Sequence, residues 1–276
     1  MRIDFTKKFD DFFTKTNKRE VTNLVIHHIE AKNFEIALNL LKEHQVSAHY
    51  LIDYSGDIFQ LVDDCNIAYH SGLSYWNGCD GLNQSSIGIE LVNPSPFKKN
   101  FSRKQMKSLM WLIKDLKNKY NILNRNIVGH SDVAYHQETK FLNRKQDPSQ
   151  LFVWNFLKNN NLSFYQSNAT AKYIAEYLKK QPDIVFFALD RTVKGKNNDI
   201  KKVDLLDIKI KLHKIGYLVT NFNNVFDEEM LNLSIVFNRR FNRSKFLIKN
   251  QNASGYWYYS SQLILEDIYN QLCCNN

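Results

Sequence analysis

The residues of this sequence that are best suited to chemistry are histidines and carboxylates beside short apolar runs. The run VTNLVIHHI leads to His27 and His28, the run NIVGH ends at His130, and Asp147 precedes a proline. Each lies at a predicted element terminus, where α/β proteins place their functional sites. Two histidines and one carboxylate are a ligand set of catalytic zinc that leaves a fourth position open. The sequence predicts such a zinc site, with the choice between His27 and His28 open.

Two further residues, Asp132 and His136, could compete as ligands. His130 and Asp132 are only two positions apart, and side chains so close at an extended strand end do not easily reach one metal ion. Asp147 is therefore the preferred carboxylate, and the other two residues stay alternatives.

A base and a cation can be assigned near such a site. Glu90 is the single carboxylate of the apolar stretch SIGIELVN, where burying a charge is costly without a partner or a task. It is the candidate for the base that takes a proton from water. Lys145, two positions before Asp147, is placed to stabilise a developing oxyanion. A salt-bridged structural acid and a solvated loop lysine are the alternatives for the two residues.

The elements that must position these residues alternate between strands and helices. β-Rich apolar runs predict strands at 21–28, on both sides of a Ser-Gly turn within 49–62, at 86–92 and at 126–130. Helical spacing predicts helices at 33–45 and 102–121, capped by Asn33 and Ser102, and a third entered through Asp147-Pro148. This alternation predicts an α/β (α+β) fold with a central mixed β-sheet flanked by helices.

The composition changes in the last third of the chain. A polar, charge-rich stretch predicts a linker, and the apolar spacing after it predicts three helices, of which the first ends at Gly216 and the second begins at Asp227. We therefore expect a catalytic domain at 1–185, a linker at 186–202 and a small three-helix domain at 203–276.

The net charge of +9 suits an acidic partner such as nucleic acid, anionic lipid or an anionic cell-wall polymer. The sequence has no arginine-rich recognition helix, RNP motif or zinc finger, so nucleic acid is not the predicted partner. A glycosidase would need two carboxylates across a cleft, and only Glu90 is well placed. The four cysteines lack a C-x-x-C pair, so neither a zinc ribbon nor a disulfide framework is predicted. No run of about 18 apolar residues predicts a transmembrane segment, and the first residues have no apolar stretch typical of a signal peptide.

Six segments resemble, in order, the zinc-dependent N-acetylmuramoyl-L-alanine amidases of the amidase-2 type, including the two-domain, AmiD-like members. These segments, within residues 20–155, are VIHHIEA, VSAHYLIDYSGDIFQLV, IAYHSG, LNQSSIGIELVN, IVGHSDVA and RKQDPSQLFVW. The C-terminal apolar pattern similarly resembles the small peptidoglycan-binding module that often follows such an amidase.

The resemblance implies a role for each candidate residue. The pattern of two hydrophobic residues before a histidine selects His27, so that His27, His130 and Asp147 bind one Zn²⁺ per chain. Glu90 is then the proton acceptor and Lys145 the residue that stabilises the transition state. The implied reaction is hydrolysis of the amide between N-acetylmuramic acid and L-alanine in peptidoglycan or muropeptides.

The remaining implications concern the substrate and the place of action. His28 and Ile29 would border the substrate cleft, and His49 and His70 are assigned to the same substrate-binding group as cleft-shaping or structural residues. A non-catalytic peptidoglycan-recognition protein on the same fold is the alternative function. The cell envelope is the favoured location, and cytoplasmic muropeptide recycling is the alternative because no signal peptide is visible.

The sequence departs from the family pattern between two of the implied ligands. A stretch YHQETKFLN lengthens the loop that follows Ser-Asp-Val-Ala, and Ser149 stands where the family usually has glycine. This loop lies between the implied ligands His130 and Asp147 in the sequence, so we expect it to affect substrate preference more than metal chemistry.

Overall fold

The computed structural model describes residues 1–188, 191–192, 203–246 and 255–274, which group into two compact units. The sheet unit comprises 1–134 and 145–164, and the helical unit comprises 135–144 together with the described residues after 164. The strands are β1 (Ile3–Asp4), β2 (Phe13–Thr14), β3 (Asn23–Glu30), β4 (Tyr50–Ile52), β5 (Ile58–Gln60), β6 (Ile67–Ala68), β7 (Tyr75–Trp76), β8 (Cys79–Asp80), β9 (Ser86–Asn93), β10 (Ile127–Gly129), β11 (Val185–Ala188), β12 (Arg191–Thr192) and β13 (Trp257–Tyr258). The helices are α1 (Phe34–Glu43), α2 (Arg103–Tyr120), α3 (His130–Val133), α4 (Trp154–Lys158), α5 (Asn168–Lys180), α6 (Leu205–Ile215), α7 (Glu228–Phe241) and α8 (Tyr259–Cys274).

The sheet unit is built on a six-stranded sheet with the order β1-β5-β4-β9-β3-β10. The β4 and β5 strands are antiparallel, whereas the other neighbouring pairs are parallel. The predicted central mixed sheet with flanking helices is confirmed.

The core of this sheet is the long parallel pair β3 and β9. Their register runs from Asn23 opposite Ser86 to Glu30 opposite Asn93, and every residue of β9 is buried. Strands covered on both faces are apolar throughout rather than alternating, which explains the runs in the sequence. Because the pairing continues to Glu30, β3 does not end at His27 or His28 as predicted.

Local signals in the sequence specify the hairpin and the longest helix. Gly56 turns the chain between β4 and β5 at φ +96°, and a Cβ there would meet the Lys104 backbone at 3.0 Å, so only glycine fits without strain. The Ser102 hydroxyl accepts a hydrogen bond from the Gln105 amide at 3.0 Å and thereby caps α2. The helix ends at Tyr120, one residue before the predicted end.

The helix predicted to start at Asp147-Pro148 begins only at Trp154. The intervening Ser149 is held in place by the sheet unit, because its amide donates to His28 Nδ1 at 3.2 Å and its hydroxyl donates to the Pro96 carbonyl. These bonds keep the segment after Asp147 out of helical geometry. The prediction was wrong because long-range hydrogen bonds outweigh the local signal of proline at a first helical turn.

The helical unit contains the three predicted C-terminal helices as α6, α7 and α8. Asp227 caps α7 by accepting from the Met230 amide at 2.9 Å, and its Oδ2 accepts from the fully buried Lys209 ammonium at 3.0 Å. Gly216, at φ +136°, follows the last residue of α6 as expected. A three-stranded sheet in the order β12-β11-β13 is also present, and it was not predicted.

The division of the chain differs from the expected boundary at residue 185. Helix α5 belongs with the C-terminal helices, since the Ser167 amide donates to Asp267 Oδ2 at 2.6 Å and the Tyr177 and Tyr259 rings lie 5.1 Å apart. Most of the predicted linker, residues 189–190 and 193–202, lies outside the described residues, and the rest contributes to β11 and β12.

The described helices differ from membrane-spanning helices. None of them has both the length and the apolar composition that crossing a bilayer requires.

Candidate metal centre

The candidate site lies on three adjacent parallel strands of the sheet unit, β9, β3 and β10. His27 on β3 is paired with Glu90 on β9, and Gly129 at the end of β10 is paired with Ile26. The next residue, His130, begins α3. The parallel register therefore brings His27, Glu90 and His130 to the same level of the sheet.

Three ligand atoms form a nearly equilateral triangle. His27 Nδ1 lies 3.0 Å from Asp147 Oδ2 and 3.1 Å from His130 Nδ1, and His130 Nδ1 lies 3.1 Å from the same Asp147 oxygen. Tetrahedral zinc holds nitrogen and oxygen ligands at about 2.0–2.1 Å, which places them about 3.3 Å from one another. The three side chains, all buried or nearly so, therefore fit around one zinc ion.

The outer nitrogens of both histidines are bound by one segment, His70-Ser71. His130 Nε2 lies 3.0 Å from the Ser71 carbonyl, to which it can only donate. His27 Nε2 lies 3.0 Å from His70 Nδ1, and His70 Nε2 lies 3.3 Å from the Ser86 hydroxyl. This network is satisfied when the Nε2 atoms of His27 and His130 carry the protons. The Nδ1 atoms of His27 and His130 then each keep a free lone pair, the form that binds a metal.

Close packing fixes the position of His70. A Cβ on Gly88 of β9 would lie 2.4 Å from the His70 ring, so only glycine leaves room for it. This supporting role of His70 was missed in the sequence. The motif IAYHSG marked the histidine, but its contact with His27 depends on packing between residues 43 positions apart.

Electrostatics favour the ligand forms of His27 and Asp147. Burial, with the nearby His130, lowers the pKa of His27 to about 4, so its imidazole is neutral at pH 7. Burial alone would raise the pKa of Asp147, but His130 and His27 outweigh it and hold that pKa well below the usual range. Neutral imidazole and ionised carboxylate are the states that metal binding requires.

Glu90 lies beside the triangle and is incompletely hydrogen-bonded. Its Oε1 is 4.0 Å from His27 Nδ1, and its buried Oε2 has no hydrogen-bond partner among the described residues. Burial, with the nearby Asp147 charge, raises the pKa of Glu90 well above its usual value, while Lys145 opposes the shift. A buried carboxylate with an unpaired oxygen and a raised pKa has the properties of a proton acceptor.

Lys145 is exposed, two residues before Asp147. Its positive charge acts on the site, since it lowers the pKa of both Glu90 and His27. The structure thus brings an ammonium group into electrostatic range of the candidate base and one candidate ligand.

The four residues predicted to contact substrate occupy different surroundings. His28 is half-buried, with Nδ1 bound by the Ser149 amide and its ring 5.3 Å from Phe97, and Ile29 is half-buried against the core. His49 is fully buried, with Nδ1 accepting from the Gly88 amide and Nε2 3.1 Å from the Asn66 carbonyl. The structure therefore places His49 in the interior and His70 behind His27, whereas His28 and Ile29 retain exposed surface.

The competing ligands are not part of the triangle. Asp132 Oδ2 accepts a hydrogen bond from the Gly129 amide at 2.7 Å and so caps the start of α3. His136 belongs to the helical unit. Among the described residues, the side chains whose ligand atoms lie close enough together to share one metal ion are those of His27, His130 and Asp147.

Comparison with known proteins identifies the domain that carries this site. Residues 17–150 match the family model described as N-acetylmuramoyl-L-alanine amidase, Amidase_2. The chain is 37% identical over 153 residues to the N-acetylmuramoyl-L-alanine amidase AmiD of Escherichia coli K12, covering 50% of this chain and 52% of AmiD. It is 34% identical over 110 residues to the 1,6-anhydro-N-acetylmuramyl-L-alanine amidase AmpD of the same organism, covering 40% of this chain and 55% of AmpD. The chain thus spans about half the length of these two relatives.

A solved structure extends the similarity over most of the chain. AmiD from E. coli, in complex with its substrate anhydro-N-acetylmuramic acid-L-Ala-D-gamma-Glu-L-Lys, matches with a TM-score of 0.68 at 27% identity. The match covers 91% of this chain and 89% of AmiD. Residues 17–150 are thus similar to the Amidase_2 family of N-acetylmuramoyl-L-alanine amidases, and the structural similarity to AmiD extends over most of the chain.

Proposed function

We propose that this chain is a zinc-dependent amidase that hydrolyses the bond between N-acetylmuramic acid and L-alanine in peptidoglycan or muropeptides. The observation that carries the proposal is the buried triangle of His27, His130 and Asp147 beside the unpaired oxygen of Glu90. The similarity to AmiD supports the substrate class, because the substrate bound to AmiD contains this bond.

One zinc ion would be held by His27 Nδ1, His130 Nδ1 and Asp147 Oδ2. When bound, zinc supplies Lewis acidity, which makes a water molecule more acidic and polarises a carbonyl group. The protein contributes ligands whose outer nitrogens are already oriented by His70 and Ser71, so the site needs little reorganisation to receive the ion.

Glu90 and Lys145 would carry out the remaining steps. Glu90 takes a proton from water as the water oxygen bonds to the lactyl carbonyl carbon, and its raised pKa makes it an effective acceptor. The negative charge that develops on the carbonyl oxygen is stabilised by the Lys145 ammonium. Glu90 then returns the proton to the alanine nitrogen as the carbon–nitrogen bond breaks, which yields the acid and a free amine.

The helical unit and the net charge of +9 suit action on an anionic polymer. In this proposal the helical unit binds peptidoglycan and raises the effective concentration of the site on its substrate. We place the protein in the cell envelope, with cytoplasmic recycling of muropeptides as the alternative. Fractionation of cells that express an epitope-tagged chain distinguishes the two locations.

Mass spectrometry of a defined muropeptide incubated with the protein tests the reaction. We expect release of the intact stem peptide with a free L-alanine amine, loss of this activity on chelation, and its return with added zinc. Cleavage between the sugars would contradict the assigned bond. Binding of the muropeptide without cleavage by the zinc-loaded protein would instead identify a recognition protein.

The ligand assignment has a matched test in two aspartates. Asp147→Asn removes a charged ligand and is expected to lower zinc affinity by at least about tenfold in a chelator competition. Asp132→Asn, on the neighbouring cap, should leave zinc affinity within about twofold of the native value, because Asp132 is not part of the triangle. The reverse result would make Asp132 the carboxylate ligand.

A further inference from the structure

Both histidine ligands are held from behind by the same two-residue segment, His70-Ser71. The His130 ring donates from Nε2 to the Ser71 carbonyl at 3.0 Å, and His27 Nε2 lies 3.0 Å from His70 Nδ1. Both contacts are made by the outer nitrogens, so a shift of this segment would turn both rings. The orientation of the two histidine ligands therefore depends on what fixes the segment.

One side-chain oxygen, Asn83 Oδ1, accepts three hydrogen bonds from this segment. The donors are the His70 amide at 3.1 Å, the Ser71 amide at 2.8 Å and the Ser71 hydroxyl at 2.8 Å. A backbone amide can only donate, so the Asn83 atom that faces the two amides is the oxygen. None of these three bonds involves a candidate ligand, so the effect of Asn83 on the ligands passes through the segment.

The turn that carries this asparagine is itself fixed to the sheet unit. It is a short 3-10 helix, Leu82–Gln84, that leads directly into β9. Leu82 is fully buried, and its amide donates to Ser74 Oγ at 3.0 Å. Its carbonyl accepts from the Ser86 hydroxyl at 2.5 Å, which leaves the Ser86 oxygen to accept from His70 Nε2 at 3.3 Å. The turn thus holds the ring of His70 as well as the backbone of the segment.

Loss of the Asn83 oxygen would affect several donors at once. Two backbone amides and a hydroxyl would lose the same acceptor, and donors that are partly shielded from water seek new partners. The segment would then move, and the outer nitrogens of both histidine ligands would follow it. Partners that orient metal ligands in this way typically change metal affinity by about 10–100-fold when they are removed.

We propose that Asn83 is a positioning residue that holds the segment His70-Ser71 and thereby keeps the His27 and His130 rings oriented for one metal ion. The inference rests on the proposed zinc-dependent function. It assigns control of two of the three ligands to one side chain outside the ligand triangle. The third ligand, Asp147, lies on another segment, so we expect Asn83 to act on the histidines.

The test compares three variants of the full chain. Asn83→Ala removes the acceptor, and Asn83→Asp keeps an oxygen at the same position. Asn66→Ala is the matched control, because Asn66 is half-buried like Asn83 and its Oδ1 also accepts from a distant backbone amide, that of Thr16 at 3.1 Å. Zinc affinity is measured by chelator competition, together with the thermal midpoint of each zinc-free protein.

We expect Asn83→Ala to lower zinc affinity by about tenfold or more, and Asn83→Asp and Asn66→Ala to stay within about threefold of the native chain. Native zinc affinity in Asn83→Ala would overturn the proposal. An equal loss in Asn83→Ala and Asn83→Asp would also overturn it, because the loss would then not depend on the acceptor. A loss of the same size in Asn66→Ala would point to general destabilisation and would contradict a positioning role.

A milder variant guards against misfolding of Asn83→Ala. Asn83→Ser keeps a hydroxyl oxygen on a shorter side chain, which cannot reach all three donors, so we expect a loss of zinc affinity of about threefold to tenfold. If Asn83→Ala does not fold, a stably folded Asn83→Ser protein with native zinc affinity would overturn the proposal.

Hydrogen exchange in chelator tests the anchor without zinc. Peptides that cover residues 69–74 should exchange faster in Asn83→Ala than in the native chain or in Asn66→Ala, because the His70 and Ser71 amides lose their acceptor. Unchanged exchange would overturn the anchor whatever the activity.

Two outcomes with the native chain separate this inference from the proposed function. If the native chain binds zinc but does not cleave muropeptides, the amidase proposal fails, and a loss of zinc affinity in Asn83→Ala alone still supports the positioning role. If the native chain binds no zinc, both proposals are overturned.

Discussion

Two buried carboxylates of the sheet unit, Asp64 and Glu90, have opposite surroundings. Asp64 is 6% exposed and Glu90 9%, so burial does not distinguish them. Asp64 receives four hydrogen bonds of 2.7–3.0 Å, from Tyr50, Gln60, Lys119 and Tyr120. Glu90 has an oxygen with no partner among the described residues.

The pKa values of the two groups diverge accordingly. Burial alone would raise both, but the hydrogen bonds from Lys119, Tyr50 and Tyr120 lower the pKa of Asp64, whereas that of Glu90 is raised well above the usual value. A carboxylate with all of its lone pairs engaged stabilises the fold and has no capacity left for chemistry. A carboxylate left unpaired contributes little to stability and remains available to accept a proton.

The largest expected effect is on activity at Glu90. Glu90→Gln removes the proton acceptor without changing size and should lower kcat by about 10³-fold, within the range for general base catalysis. Zinc content and the thermal midpoint should stay close to native. A variant that retains native kcat would remove Glu90 from the mechanism, and Asp64→Asn, which should retain native kcat, is the matched control.

The next effect is on stability at Asp64. Asp64→Ala removes the acceptor of the buried Tyr50 hydroxyl and one of the two acceptors of the buried Gln60 amide nitrogen, so we expect a loss of about 2–3 kcal/mol in the free energy of unfolding. Urea unfolding of the zinc-free protein measures it, with Glu90→Gln as the comparison. A larger loss at Glu90 than at Asp64 would reverse the assignment of structural and functional roles.

The stabilisation by Asp64 should depend on pH with a definite sign. Its folded-state pKa lies below the usual 3.8, so the unfolded chain binds the proton more readily. The stabilisation is fully present above about pH 4 and is lost as the pH falls through the lowered folded-state value. The difference in unfolding free energy between the native chain and Asp64→Asn should therefore be constant near neutrality and shrink on acidification, as measured in chelator. A difference that grows on acidification would contradict this sign.

The smallest effect is expected at Lys119. This side chain is 55% exposed, and solvent screens its 2.8 Å contact with Asp64. Lys119→Met should lower the unfolding free energy by less than about 1 kcal/mol. A loss as large as that of Asp64→Ala would mean that the ion pair, rather than the buried donors, dominates the surroundings of Asp64.

The sequence predicted the parts of the fold that depend on local signals. Ser102 and Asn33 cap their helices as expected, and the β3 and β9 runs are strands of the central sheet. Residue type and predicted element ends indicate the candidate ligands, and the structure brings His27, His130 and Asp147 together. The family resemblance was needed to select His27 over its neighbour.

The parts that could not be predicted depend on long-range packing. The contact of His70 with His27 requires the register of three strands, and the late start of α4 depends on bonds from Ser149 to distant residues. The hydrogen bond from Arg239 of α7 to Asn143 of the inserted loop joins positions 96 apart, and neither side chain carries a periodic signal in the sequence. Local patterns specify elements, whereas the contacts that orient the site arise only when the elements pack.

The distribution of the ligands along the chain has a consequence for folding. His27 and His130 are 103 positions apart, and His130 and Asp147 are 17 apart, so one ion would join three separate segments as a removable cross-link. Such a link closes loops that are open in the denatured chain and binds only the folded form, so occupancy adds to the free energy of unfolding. Zinc supply would then govern the lifetime of the protein against proteolysis as well as its turnover.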